Sequence, residues 1–213
     1  MSFCLFTVLF LFAASQPALS QVLVNEVDAD QAGTDDAEFV ELYDGGVGST
    51  DLSGLVLVFF NGGEDASYAA FDLDGNSTGA GGFFILCGDA SKVANCDLDV
   101  SPNTNLLQNG ADAVALYTGD ATDFPNGTAV TTANLLNALV YDTTDADDGG
   151  LLVLLNGGQP QVNEAAGGSS GTQSNERFPD GSGGTRNTLT FKQETPTPGV
   201  INLPVELLSF EVE

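Results

Sequence analysis

The side chains in this sequence that can do chemistry are almost all carboxylates. Asp28, Asp30, Asp35 and Asp36 cluster in one stretch, and Asp142, Asp145, Asp147 and Asp148 in another beside Gly149 and Gly150. Oxygen ligands at this density suit a hard divalent cation. Asp28, Asp30, Asp142, Asp145 and Asp147 are therefore the candidate metal ligands, and calcium is the candidate cofactor. A third stretch, Asp72-Leu73-Asp74-Gly75-Asn76, starts like a calcium loop. Its twelfth position, where a bidentate Glu belongs, is Phe83, so the motif fails. Glu26, Glu38 and Glu41 raise the chemistry of a retaining glycosidase, which needs two carboxyls about 5–5.5 Å apart. Without a single Trp to form a sugar platform, and with no evident cleft holding a tuned acid, that reading is set aside. The plain expectation for the remaining acids is a solvated surface, in turns around a neutral core.

What is missing narrows the choice further. The 213 residues hold 30 Asp and Glu against 4 Lys and Arg, a net charge of −26, and no His. A His-dependent triad, a His-ligated zinc and an imidazole acid/base pair are excluded. A pI near 4.1 argues against nucleic acid, whose phosphates demand clustered cations, and against an anionic membrane surface. With so few cations, Arg177 is expected to have a fixed task. The expected partner is a strand carboxylate among Glu26, Glu38 and Glu41, with Glu41 foremost, in a bidentate pair.

Residues 1–20 read as a signal peptide. An uncharged apolar run at 3–14 is followed by Pro17 and by Ala18-Leu19-Ser20, small residues at the −3 and −1 positions. Its removal would take Cys4 with it and leave Cys87 and Cys96, an even pair in an exported protein. These are expected to form a disulfide around a short loop, worth about 2.7 kcal/mol in the chain-entropy model.

The elements that must position these groups are short. Helical periodicity is nearly absent, the closest candidate being the polar stretch 90–95. Apolar, β-branched runs recur instead, separated by Gly, Asp, Asn and Ser. They lie at 22–27, 38–43, 55–60, 67–72, 83–87, 113–117, 135–141, 151–155 and 189–192, with a last one at 205–212. About ten short strands imply an all-β, antiparallel β-sandwich. The runs 55–60 and 151–155 are apolar at successive positions, as in strands covered on both faces. Phe39 and Tyr43 should face opposite to Val40 and Leu42. Asn61-Gly62 and Asn156-Gly157 each follow an apolar run and read as type I′ hairpin turns. The Gly- and Ser-rich stretch 163–175 reads as a flexible surface loop.

Three patches stand out: Val24-Asn25-Glu26-Val27 with Glu38–Tyr43, Asp51-Leu52-Ser53-Gly54, and Ser174–Gly181 closed by Thr195-Pro196-Thr197-Pro198-Gly199. Together they resemble the lamin-tail domain of exported bacterial proteins. The resemblance spans about residues 22–200. It implies an immunoglobulin-like β-sandwich without catalytic residues, used as a binding or accessory module. Leu55 departs from it, where the family often carries Trp or Tyr. The N-terminal half also resembles modules attached to extracellular nucleases, whose catalytic domain would need His. The segment Leu203–Phe210 is similar to the stretch preceding sorting domains in Bacteroidetes exported proteins.

These readings divide the chain into a signal peptide (1–20), a sandwich domain (21–200) and a linker or start of a sorting region (201–213). The expected protein is a secreted or cell-surface monomer, not an enzyme, that binds a protein or extracellular-matrix ligand and neither nucleic acid nor membrane. The alternative is the accessory module of a larger extracellular enzyme of nuclease type.

Overall fold

The computed structural model describes residues 21–202; the signal peptide expected at 1–20 and the strand expected at 205–212 lie outside them. Eleven strands run in chain order as β1 (Leu23–Asp28), β2 (Phe39–Tyr43), β3 (Leu55–Asn61), β4 (Ala66–Asp72), β5 (Phe83–Cys87), β6 (Leu98–Asp99), β7 (Asp112–Thr118), β8 (Leu135–Asp142), β9 (Val162–Asn163), β10 (Ser174–Arg177) and β11 (Phe191–Glu194). They form two sheets, ordered β11-β10-β1-β2-β5-β6 and β4-β3-β7-β8-β9. The long pairings are antiparallel. The two-residue edge strands β6 and β9 pair in parallel with β5 and β8, which corrects the purely antiparallel expectation.

The two sheets share one core. Val24, Val27, Val40, Leu42 and Phe84 from the first sheet meet Leu57, Phe59, Val114, Leu116 and Leu139 from the second. Alternation then sends the other set of side chains outward. On the second sheet these are apolar again: Val56, Val58, Phe60, Ala115 and Tyr117 pack with Leu151, Leu154 and Leu155. This outer cover explains why β3 is apolar along its whole length. On the first sheet Phe39 and Tyr43 do face away from Val40 and Leu42, joining Phe83, Ile85 and Val93 in a smaller cluster.

Residues 151–155 are not a strand. Leu151–Leu154 is a 3-10 helical turn with Leu151 and Leu154 buried, while Val153 is 50% exposed. A three-residue period buries both leucines on one side, and Asp148 starts the turn by accepting from the Gly150 and Leu151 amides at 2.8 and 2.9 Å.

The Asn-Gly pairs also act differently. β3 and β4 do form a hairpin, but residues 62–65 connect them and the left-handed position is Asp65 (φ 50°). Gly62 serves close packing, since a Cβ there would lie 2.1 Å from the Ala111 carbonyl oxygen. Asn156-Gly157 follows the 3-10 turn and joins no hairpin.

Residues 163–175 are likewise structured, by 3-10 turns at Glu164–Gly167 and Ser170–Thr172 that lead into β10.

Candidate functional site

The sheet of β1, β2 and β10 carries a row of acids on its outer face. A bulge between Val24 and Glu26 inserts Asn25, so Val24 keeps its place in the core while Asn25 and Glu26 both turn outward. Glu26 then stands opposite Glu41 on β2 and Glu176 on β10. Like charges placed directly opposite repel. Here they are covered and supplied with donors instead. The segment after β11 crosses over the row as a strap. The Thr197 amide donates to Glu26 Oε1 at 2.9 Å, and its hydroxyl oxygen lies 3.2 Å from both Glu26 Oε2 and Glu176 Oε2 and 2.8 Å from Asn202 Oδ1. The Gly199 amide donates to Glu41 Oε2 at 2.6 Å, and the Asn202 amide donates to Asp180 Oδ2 at 2.7 Å. Asn25 Nδ2 bridges Glu41 and Asp180, at 2.8 Å to each.

Burial raises the proton affinity of this row. Glu26 is pushed up to about 7, Glu176 to about 8 and Glu41 well above the usual carboxylate range, each by desolvation first. Protons held there relieve the repulsion that the register imposes. Glu26 and Glu41 do oppose one another, as a pair of catalytic carboxyls would. Both are fully buried beneath Thr197 and Gly199, which leaves no room between them for a sugar.

Beside the strap lies a cleft of about 340 Å³. Its lining includes Asp28, Asp30, Phe39, Val93, Pro196 and Pro198. The strap supplies the prolines, β1 ends and β2 begins at the cleft, and the loop between Cys87 and Cys96 forms the wall with Val93. That loop is closed by the expected disulfide, with the two Cα atoms 5.9 Å apart.

Asp28 is 4% exposed. Its Oδ1 accepts from Gln31 Nε2 at 2.9 Å, and among the described residues Oδ2 accepts no hydrogen bond. Desolvation, reinforced by Glu26, Glu38 and Asp30, pushes its carboxyl up to about 8. Lys92, at the cleft's edge, is held to Asp36 at 3.2 Å.

The two acidic loops are not brought to one centre. Asp30 accepts from Ser170 and Asn109. Asp142 is buried and accepts from the Asp145 amide at 3.1 Å and from Gln161 at 2.8 Å, while Asp145 and Asp147 are exposed. Among the described residues no three Cys, Asp or Glu side chains group as metal ligands. Asp30 and Asp142 spend oxygen atoms on neighbouring hydroxyl and amide donors instead.

Arg177 departs from expectation more sharply. It is fully buried, yet it forms no ion pair with Glu41; among the described residues Lys92–Asp36 is the only one. Its Nε donates to the Val24 carbonyl at 2.8 Å, one terminal nitrogen donates to the Ser182 carbonyl, and the other has no partner. The guanidinium lies 4.7 Å from the Phe191 ring centre. Alternation along β10 explains the change: Glu176 points to the acidic row, so Arg177 points to the other face. Burial lowers its proton affinity to about 10.

Two further acids fix loops: Glu38, which the sequence offered only as a catalytic carboxyl or a partner for Arg177, and Glu164, which it did not single out. Glu38 accepts from the Leu106 and Leu107 amides, the latter at 3.0 Å. Glu164 accepts from the Ala29 and Asp30 amides at 3.3 and 3.2 Å. Burial pushes them up to about 8 and about 9. The expectation of acids confined to a solvated surface is thereby corrected: nine Asp and Glu side chains are buried among the described residues.

No family model, no curated protein and no solved structure matches the chain.

Proposed function

We propose that this chain is a non-catalytic, exported β-sandwich module of lamin-tail type that binds a protein or matrix surface as a monomer. The observation that carries the reading is the cleft beside the strap, a concave site lined by Phe39, Val93, Pro196 and Pro198 together with the nearly buried Asp28 carboxyl. The convergence of the motif patches supports the lamin-tail assignment. Asn25, Glu26, Glu41, Glu176, Asp180, Thr197 and Gly199, scattered over the sequence, meet on one sheet face. Export is supported by the signal-like segment and by the disulfide. The test is to apply fluorescently labelled protein to the surface and matrix of the producing cells, and to assay it against glycoside and nucleic-acid substrates. Saturable surface binding with no turnover is expected. Turnover of either substrate class, or absence of saturable binding, overturns the reading.

A further inference from the structure

We infer that the cleft beside the strap is a receptor for a lysine side chain of the partner protein, with the ammonium group set against Asp28 and the aliphatic stem between Pro196, Pro198 and Val93. This rests on the binding function proposed above and specifies the chemistry of its contact.

Three features point to a cation on an apolar stem. First, Asp28 lines the cleft at the end of β1, nearly buried, with Oδ2 taking no hydrogen bond among the described residues. That oxygen is the acceptor an arriving cationic donor would meet. Second, Phe39, Val93, Pro196 and Pro198 give the cleft an apolar wall on which an aliphatic stem can lie, beside the polar Gln31 and Thr172. Third, among the described residues no cation pairs with Asp28. Lys92 is held by Asp36, and the chain carries 30 acids against 4 bases. That imbalance draws cationic groups toward the protein. A volume near 340 Å³ lies at the small end for ligand sites, suited to one side chain rather than to a large cofactor. A compact ammonium on a flexible stem reaches such a floor more readily than a planar guanidinium.

The empty site has a second property. Glu26, Glu38, Asp30 and Glu164 all act on Asp28 as negative neighbours, and Lys92 faces the cleft while engaged with Asp36. Asp28 therefore holds a proton near neutral pH in the absence of ligand, and an arriving ammonium displaces it.

The experiment is calorimetric titration of the full chain with Nα-acetyl-lysine-N-methylamide, repeated in two buffers of different ionisation heat. The matched controls are the Nε-acetylated compound and the arginine analogue. Binding of the lysine probe with proton release, at least tenfold weaker binding of both controls, and tighter binding as pH rises from about 6 to about 8 are expected. Asp28→Asn should lower affinity at least tenfold. Ala94→Trp, at an exposed position on the rim, should block the cleft without touching the core. Equal binding of the acetylated or arginine probe, no release of protons, or unchanged affinity in folded Asp28→Asn and Ala94→Trp overturns the inference. Failure here together with saturable binding to the cell surface would remove only the lysine assignment. Probe binding without surface binding would remove only the proposed function.

Discussion

At the scale of single residues, buried acids are matched with amide donors rather than with cations. Glu38 shows the logic, since its two oxygens take the amides of Leu106 and Leu107. Glu38→Ala would leave two buried amides without acceptors, and chemical denaturation should show a loss of about 1–3 kcal/mol. Arg177 is the mirror image, a buried donor that serves carbonyl groups. Arg177→Met should likewise cost about 1–3 kcal/mol by stranding the Val24 and Ser182 carbonyls. In a double-mutant cycle with Glu41→Gln the coupling should stay within about 0.5 kcal/mol. A larger coupling would restore the ion pair that the sequence suggested. Asp28 was picked out from the sequence, but for calcium. The row of acids it borders was not legible, because a Glu between Val40 and Leu42 reads as an outward, solvated position. Only the returning strap, distant in sequence, makes that face an interior.

At the scale of elements, the strands that alternate or run apolar were readable from the sequence. β5 occupies the expected residues 83–87, and β1, β2, β3, β4, β7 and β8 lie within a residue or two of expectation. Two failures have definite causes. Leu151–Leu154 is too short for a run of leucines to distinguish a period of two from a period of three. β10, Ser174-Asn175-Glu176-Arg177, has no apolar residue at all, yet all four are buried. A strand whose neighbours are polar and whose cover is a polar strap has the composition of a loop. The loop from Cys87 to Cys96 was legible by cysteine arithmetic alone, and it builds a wall of the cleft. Replacing both cysteines by serine should lower stability by about 2–4 kcal/mol in denaturant titration. A change in hydrogen exchange concentrated at residues 88–95 would place the effect at that wall.

At the scale of the whole molecule, the acidic composition becomes a statement about pH. Glu26, Asp28, Glu38, Glu41, Glu164 and Glu176 all bind protons more tightly when folded than the usual carboxylate does, chiefly because burial penalises the charge. In the unfolded chain such groups titrate near pH 4. Between that point and about pH 7–9 the folded chain therefore holds more protons, and unfolding releases them. Their stabilising contribution is complete below the unfolded value and is lost as pH climbs through the folded values. Thermal melts should show Tm rising as pH falls from about 9 to about 5. A Tm that peaks near pH 8 would count against protonated interiors. Relief of repulsion among the surface acids acts in the same direction.

The place of β1 in its sheet carries a consequence for how the chain reaches this state. It lies between β2, its neighbour in sequence, and β10, which begins at Ser174; the strap that covers Glu26 arrives later still. Pairings so distant in sequence form slowly, because closing the intervening loop precedes any gain. The first strand must therefore wait for the last part of the domain. A chain cut before Ser174 would leave β1 with an open edge and its glutamates uncovered, and it should remain unfolded or associate through that edge rather than form a smaller stable sandwich.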